Sequence, residues 1–116
     1  DTIYFDNISN DALDFSGSNI QVKNFFANNI GDKGISAGEK SNINLENIQI
    51  QNSSIAISSK DSSKVKIKNP TLKLNKVDYA AYNKKPEFKG GKIFISDFKN
   101  KSNLLLKDQK SGIVYE

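Results

Sequence analysis

Apolar side chains in this chain come in short alternating bursts, and the bursts recur. Asn19-Ile20-Gln21-Val22-Lys23-Asn24 returns as Asn42-Ile43-Asn44-Leu45-Glu46-Asn47 and as Lys64-Val65-Lys66-Ile67-Lys68-Asn69. A looser copy is Lys92-Ile93-Phe94-Ile95-Ser96-Asp97. With Ile20, Ile43, Val65 and Ile93 superposed, the steps are 23, 22 and 28 residues. A second series runs in phase: Ala12-Leu13-Asp14-Phe15, Gly34-Ile35-Ser36-Ala37 and Ala56-Ile57-Ser58-Ser59 follow one another at steps of 22. Tyr79-Ala80-Ala81-Tyr82 is its expected fourth member. A third series, Phe25-Phe26-Ala27, Ile48-Gln49-Ile50 and Pro70-Thr71-Leu72-Lys73-Leu74, follows the first.

Each period therefore carries short strand-like pieces from all three series, separated by Ser, Gly, Asn and Asp. Strict apolar–polar alternation is the strand period, and no apolar series at i, i+3, i+4, i+7 outlasts two turns, so long amphipathic helices are not expected. Three in-phase strand series are what one rung of a solenoid needs, and they are not a property of a β-sandwich. The expected fold is all-β, a right-handed parallel β-helix of four to five rungs with a period of about 22 residues. Residues 1–98 form the rungs, with an inserted loop at 83–91, and residues 99–116 form a C-terminal cap or last rung. Stacking at about 4.8 Å per rung sets each inward Ile, Val or Leu on its counterpart above and below. The loop expectation rests on Pro86, which cannot donate to a ladder, and on Gly90-Gly91, which permit unusual dihedrals.

The outward positions agree. Lys23, Glu46 and Lys68 fall in one column, which alternates charge between neighbouring strands. Asn24, Asn47 and Asn69 fall in another, at the turn after each first-series strand, where stacked amides can bond along the axis.

Composition removes many chemistries. The 116 residues are enough for one domain. Cys, Met, Trp and His are absent, and all 17 basic residues are lysines against 13 acidic ones, a net charge of +4. A Cys or His nucleophile, an imidazole base, a disulfide and a bidentate arginine clamp are therefore excluded. Neither a metal nor a cofactor is expected. No stretch approaches the ~18 apolar residues of a membrane span, so membrane insertion is not expected. Asp1 in place of an initiating Met reads as a processed protein or a piece of a longer one.

Asn10-Asp11-Ala12-Leu13-Asp14-Phe15-Ser16-Gly17-Ser18 and the rung from Gly31 to Ser41 resemble the parallel β-helix repeats of bacterial surface and secreted proteins. The stretches Ile55–Ser63 and Ala80–Phe88 resemble, more weakly, the β-helix that accompanies spore-coat-H-like kinase domains. The kinase part of that family is missing here, so its phosphotransfer activity does not carry over. The resemblance implies a secreted or envelope location and, as a partner, another domain of a parent chain.

Candidate chemistry is sparse. Asp11 and Asp14 lie near one turn, but their columns continue as Lys33 and Ser36, so a hydrolase carboxylate pair is unsupported. Glu39 and Asp61 fall at equivalent positions of adjacent rungs, with Lys40 and Lys60 expected to relieve the repulsion. Lys64, Lys66 and Lys68 alternate outward on one strand, and Lys92 extends the column of Lys64. They form the densest basic patch, suited to an acidic polysaccharide or simply to blocking lateral sheet association. Only Phe94 is interleaved for base stacking, so nucleic acid is not an expected partner. Tyr79, Tyr82 and Phe88 would form a sugar-stacking platform if exposed, and core or cap if turned inward. The leading functional expectation is a non-catalytic structural or adhesive solenoid module. The alternative is a carbohydrate-active β-helix that binds or cleaves acidic polysaccharide. Ile3-Tyr4-Phe5, a strand with nothing obvious above it, adds the expectation of end-to-end association.

Overall fold

The computed structural model describes residues 2–116, which build a parallel β-solenoid of about five turns. Its nine strands are β1 (Ile3–Ile8), β2 (Leu13–Ser16), β3 (Asn19–Gly38), β4 (Asn42–Lys60), β5 (Lys64–Lys73), β6 (Val77–Tyr82), β7 (Lys92–Ser96), β8 (Leu105–Lys107) and β9 (Gly112–Tyr115). Every pairing between them is parallel. β3 and β4 are long because each runs around most of a turn, bending at corners, with the β3–β4 register shifting between Ile30 and Lys33.

The register reproduces the three series as three faces. On face 1, Ile20, Ile43, Val65, Ile93 and Ile113 stack in one inward column. On face 2 the column is Ile3, Phe25, Ile48 and Pro70. On face 3 it is Leu13, Ile35, Ile57, Tyr79 and Leu105. Ile43, Ile50, Ile57, Val65, Ile93 and Ile95 are fully buried between the faces. Each contributes roughly 1.5–3 kcal/mol of transfer free energy before chain entropy is subtracted.

The corners are made by left-handed backbone. Asn24, Asn47 and Asn69 turn the chain from face 1 to face 2 at φ of 56°, 56° and 58°. Their amides form the expected ladder, Asn69 Nδ2 donating to Asn47 Oδ1 at 2.7 Å and Asn47 Nδ2 to Asn24 Oδ1 at 3.0 Å. A second column turns face 2 into face 3: Asn7, Asn29 and Asn52 share φ of 56–57°, Asn29 Nδ2 donating to Asn7 Oδ1 at 3.2 Å and Asn52 Nδ2 to the neighbouring Asn28 Oδ1 at 2.9 Å. Asparagine recurs here because its short amide tolerates the left-handed region that costs most L-residues about 1–2 kcal/mol.

One corner breaks this rule. Leu74 occupies the next place in this second column, at φ 57° and 79% exposed. Its side chain gains nothing from burial while its backbone carries the strain. Leu74→Asn is therefore expected to stabilise the chain by roughly 1 kcal/mol, read as a higher urea midpoint. An unchanged midpoint would mean that the corner is unstrained.

The chain's last segment continues the solenoid. β8 pairs with β6 and β9 with β7, both in parallel, so residues 105–115 form a last turn rather than an antiparallel hairpin. Face 2 has no strand in this turn. There Phe98 packs edge-on to Tyr115 at 4.8 Å, and the Tyr115 hydroxyl donates to the Ser102 carbonyl at 3.0 Å.

Candidate functional site

Face 1 presents its outward residues as three regular columns. Asn19, Asn42, Lys64, Lys92 and Gly112 form one; Gln21, Asn44, Lys66, Phe94 and Val114 the next. The third runs Lys23, Glu46, Lys68 and Ser96, with Glu116 at its end. Lys64, Lys66, Lys68 and Lys92 are all exposed and lie on adjacent turns, so the structure brings together the four lysines singled out in the sequence. Alternate residues of a strand stand about 6.7 Å apart and neighbouring turns about 4.8 Å, so the points at which these lysines leave the backbone form a regular grid.

A shallow groove of about 240 Å³ crosses this lattice, lined by Gln21, Asn44, Glu46, Lys66, Lys68 and Phe94 among others. Phe94 is half-buried, and the Lys64 ammonium lies 5.5 Å from its ring centre. That contact sets the ammonium over one face of the ring, so the exposed part of this half-buried apolar side chain stands among cations. Lys68 meets Asp97 at 3.7 Å, but both side chains are well exposed, so the pair contributes little and its lysine stays available. Lys23, Lys64, Lys66, Lys68 and Lys92 outweigh Glu46 and Glu116 on this face.

The aromatic group behaves differently. Tyr79 is 3% exposed, because the step of 22 residues sets it on the inward Ile57. It packs edge-on to Tyr115 at 6.3 Å, and burial pushes its phenol well above the ordinary value. Tyr79 is thus a core residue, the inward of the two placements its sequence left open, and is removed from the ligand-binding candidates. Tyr82 ends face 3 and Phe88 lies in the 83–91 loop, both half-buried and both off the lysine face. The aromatic that does stand among the lysines is Phe94, already visible in the sequence as the outward residue of a first-series strand.

The 83–91 segment is held down by Asp61, at the corner between faces 3 and 1. Asp61 is fully buried, and its Oδ1 accepts from Asn83 Nδ2 at 3.1 Å, Lys84 N at 2.7 Å and Lys85 N at 2.9 Å. Its Oδ2 is buried with no hydrogen-bond partner. The Asn83 amide is further enclosed by the carbonyls of Lys85, Phe88 and Lys89 at 2.9–3.1 Å. Lys85 then reaches Glu39, whose carboxyl its ammonium holds below the usual range. Lys40 and Lys60 were expected to offset Glu39 and Asp61. Instead Lys85 pairs with Glu39, and backbone N–H groups solvate Asp61.

Asp108 locks the far side of the loop, its Oδ2 accepting from Asn83 N at 2.7 Å and its Oδ1 from Ser111 Oγ at 2.7 Å. Those two bonds lower its carboxyl below the ordinary aspartate value. Asp11 is likewise occupied, accepting the Lys33 N–H at 3.0 Å. Among the described residues no three acidic side chains gather closely enough to hold a metal ion, and no helix is long and apolar enough to cross a membrane.

The fold and this face define the class as a parallel β-solenoid with a lysine-rich face. No family model, curated protein or solved structure matches the chain.

Proposed function

We propose that the chain is a non-catalytic adhesive solenoid module whose face 1 holds an extended anionic polymer, such as an acidic polysaccharide. The observation that carries this reading is the lattice of Lys64, Lys66, Lys68 and Lys92 around Phe94, on a flat surface with a groove across it. Ammonium groups act as point charges toward carboxylates or phosphates along a polymer. The half-buried Phe94 ring supplies the apolar contact that a sugar face needs. The resemblance to bacterial surface and secreted β-helices favours a place at the cell envelope or outside the cell. Cleavage receives no support from the carboxylates, since Asp11 and Asp61 are already committed to backbone N–H groups.

The test is binding of the purified chain to arrayed acidic and neutral glycans at low and moderate salt, beside a Lys64/Lys66/Lys68→Ser triple variant. Acidic glycans are expected to bind, more weakly as salt rises. Removing three exposed charges at about 0.5 kcal/mol each is expected to weaken binding roughly tenfold. No binding at either salt would overturn the glycan reading and leave a scaffold whose lysines keep other sheets away. A Phe94→Ala variant separates the two contributions: it should weaken affinity while leaving the salt dependence unchanged.

A further inference from the structure

The groove on face 1 runs along the solenoid axis, across the strands, between two of the outward columns. One wall takes Gln21, Asn44, Lys66 and Phe94 from successive turns, and Glu46, Lys68 and Ser96 stand opposite. Between the walls lies the backbone of Leu45 and Ile67, whose side chains are buried.

From turn to turn the walls change character. On the β4 turn the Asn44 amide stands opposite the Glu46 carboxylate, on β5 Lys66 opposite Lys68, and on β7 the Phe94 ring opposite the Ser96 hydroxyl. Lys66 and Lys68 are the lysines that line the groove, against the carboxylates of Glu46 and Glu116. Lys64 and Lys92 belong to the column on the far side of Lys66 and Phe94 and do not line it. The face as a whole is cationic, whereas the groove is balanced and its positive charge is concentrated on one turn.

Glu46 is half-buried, with Lys23 before it and Lys68 after it in its column. Among the described residues it nevertheless makes no ion pair, and Lys68 meets Asp97 instead. An anionic group set beside Glu46 would therefore meet an unpaired like charge. Neighbouring turns are about 4.8 Å apart, close to the advance per unit of an extended pyranose chain, so successive sugars laid along the groove would meet successive turns.

We infer that the groove selects a heteropolysaccharide in which each acidic sugar is flanked by neutral ones, and that Glu46 sets this choice. The inference rests on the polysaccharide reading above and adds to it the spacing of charge along the polymer. The acidic sugar lies on the β5 turn, within reach of Lys66 and Lys68 from both walls. The neutral sugar on the β4 side meets Asn44 and Gln21, whose amides both donate and accept and so suit hydroxyl or acetamido groups. The neutral sugar on the β7 side meets the exposed part of Phe94. A polymer charged at every residue would instead set a carboxylate against Glu46, a repulsion that rejects the wrong ligand without strengthening the right one.

The test is calorimetric titration of the 116-residue chain with three length-matched β-linked oligomers: alternating glucuronate and N-acetylglucosamine, glucuronate throughout, and N-acetylglucosamine throughout. The alternating oligomer is expected to bind roughly fivefold more tightly than the fully charged one, although it carries half the charge. The neutral oligomer should bind most weakly. Glu46→Gln, which keeps the shape of the side chain, is expected to raise affinity for the fully charged oligomer and bring the two acidic ligands to within about twofold of each other. Lys66→Gln should weaken binding of the alternating oligomer more than Lys92→Gln does, with circular dichroism confirming the fold of each variant. A wild-type chain that prefers the fully charged oligomer, a preference untouched by Glu46→Gln, or equal losses at Lys66 and Lys92 would overturn the inference while leaving acidic-polymer binding in place. Failure of both acidic oligomers and of the longer arrayed glycans to bind would remove the polysaccharide reading itself, and this inference with it.

Discussion

Asp61→Ala is expected to lower the stability of the chain by roughly 3 kcal/mol and to free the 83–91 loop. The substitution removes a fully buried carboxylate whose Oδ1 accepts three hydrogen bonds at once. Hydrogen bonds to a charged acceptor are worth about 1.5–3 kcal/mol each, and those sharing one oxygen do not add. The orphaned Oδ2 offsets part of the gain, since a buried lone pair without a donor carries a desolvation cost. Asp61→Asn keeps an oxygen where Oδ1 stands and places its amide nitrogen where no partner is lost. It is therefore expected to cost about half as much as alanine. Thermal unfolding measures the stability, and limited trypsin digestion after Lys84 or Lys89 reports whether the loop has opened. An Asp61→Ala chain that melts like the wild type with those bonds still protected would refute the assignment.

Gly91→Ala is expected to be at least as damaging, at roughly 3 kcal/mol or more, for a reason that has nothing to do with dihedral freedom. A Cβ on Gly91 would lie 1.9 Å from the Ser59 carbonyl oxygen and 2.3 Å from its carbon. Both atoms are backbone of the turn above, so relief requires moving β4 or β7 rather than a side chain. Gly90 faces the opposite way under the same constraint, 2.1 Å from the Lys110 carbonyl oxygen. Gly112, in the strand below, has nothing within 4 Å of such a Cβ. Gly112→Ala is accordingly the control, expected to change stability by no more than about 0.5 kcal/mol. Equal losses at Gly91 and Gly112 would show that close packing between turns is not the cause.

These glycines mark the boundary of what sequence pattern conveys. The repeat exposed the strand series, the inward aliphatic columns, the Asn24–Asn47–Asn69 ladder and the lysine lattice, because a solenoid maps sequence spacing directly onto neighbours in space. Gly90 and Gly91 suggested a flexible turn from their chemistry alone, yet Gly17 is the glycine with positive φ. Their role depends on how near Ser59 and Lys110 come, which lies outside the repeat. Asp61 was legible as a carboxylate near Glu39, but its partners sit in the one irregular insertion, where spacing predicts no neighbour. Tyr79 fell the other way: read strictly, the step of 22 from Ile57 already placed it inside. On face 1 the four lysines were legible, since they belong to regular strands, whereas Phe94 was passed over as a site residue and Tyr79, Tyr82 and Phe88 lie elsewhere.

The short offset between paired residues, from 20 between Lys92 and Gly112 to 28 between Lys64 and Lys92, has a kinetic and mechanical side. Each turn leans only on the turns before and after it, so coupling is nearest-neighbour and order propagates like a zipper. No chain closure much longer than one turn is ever needed, however many turns are added, and closure entropy grows only slowly with loop length. Unzipping starts where a turn has one neighbour instead of two, at β1 and β2 or at β8 and β9. Central turns such as that of Ile43, Ile50 and Ile57 open last. A pull along the axis would peel turns one by one in a sawtooth of similar forces, whereas a pull across it would load several ladders together.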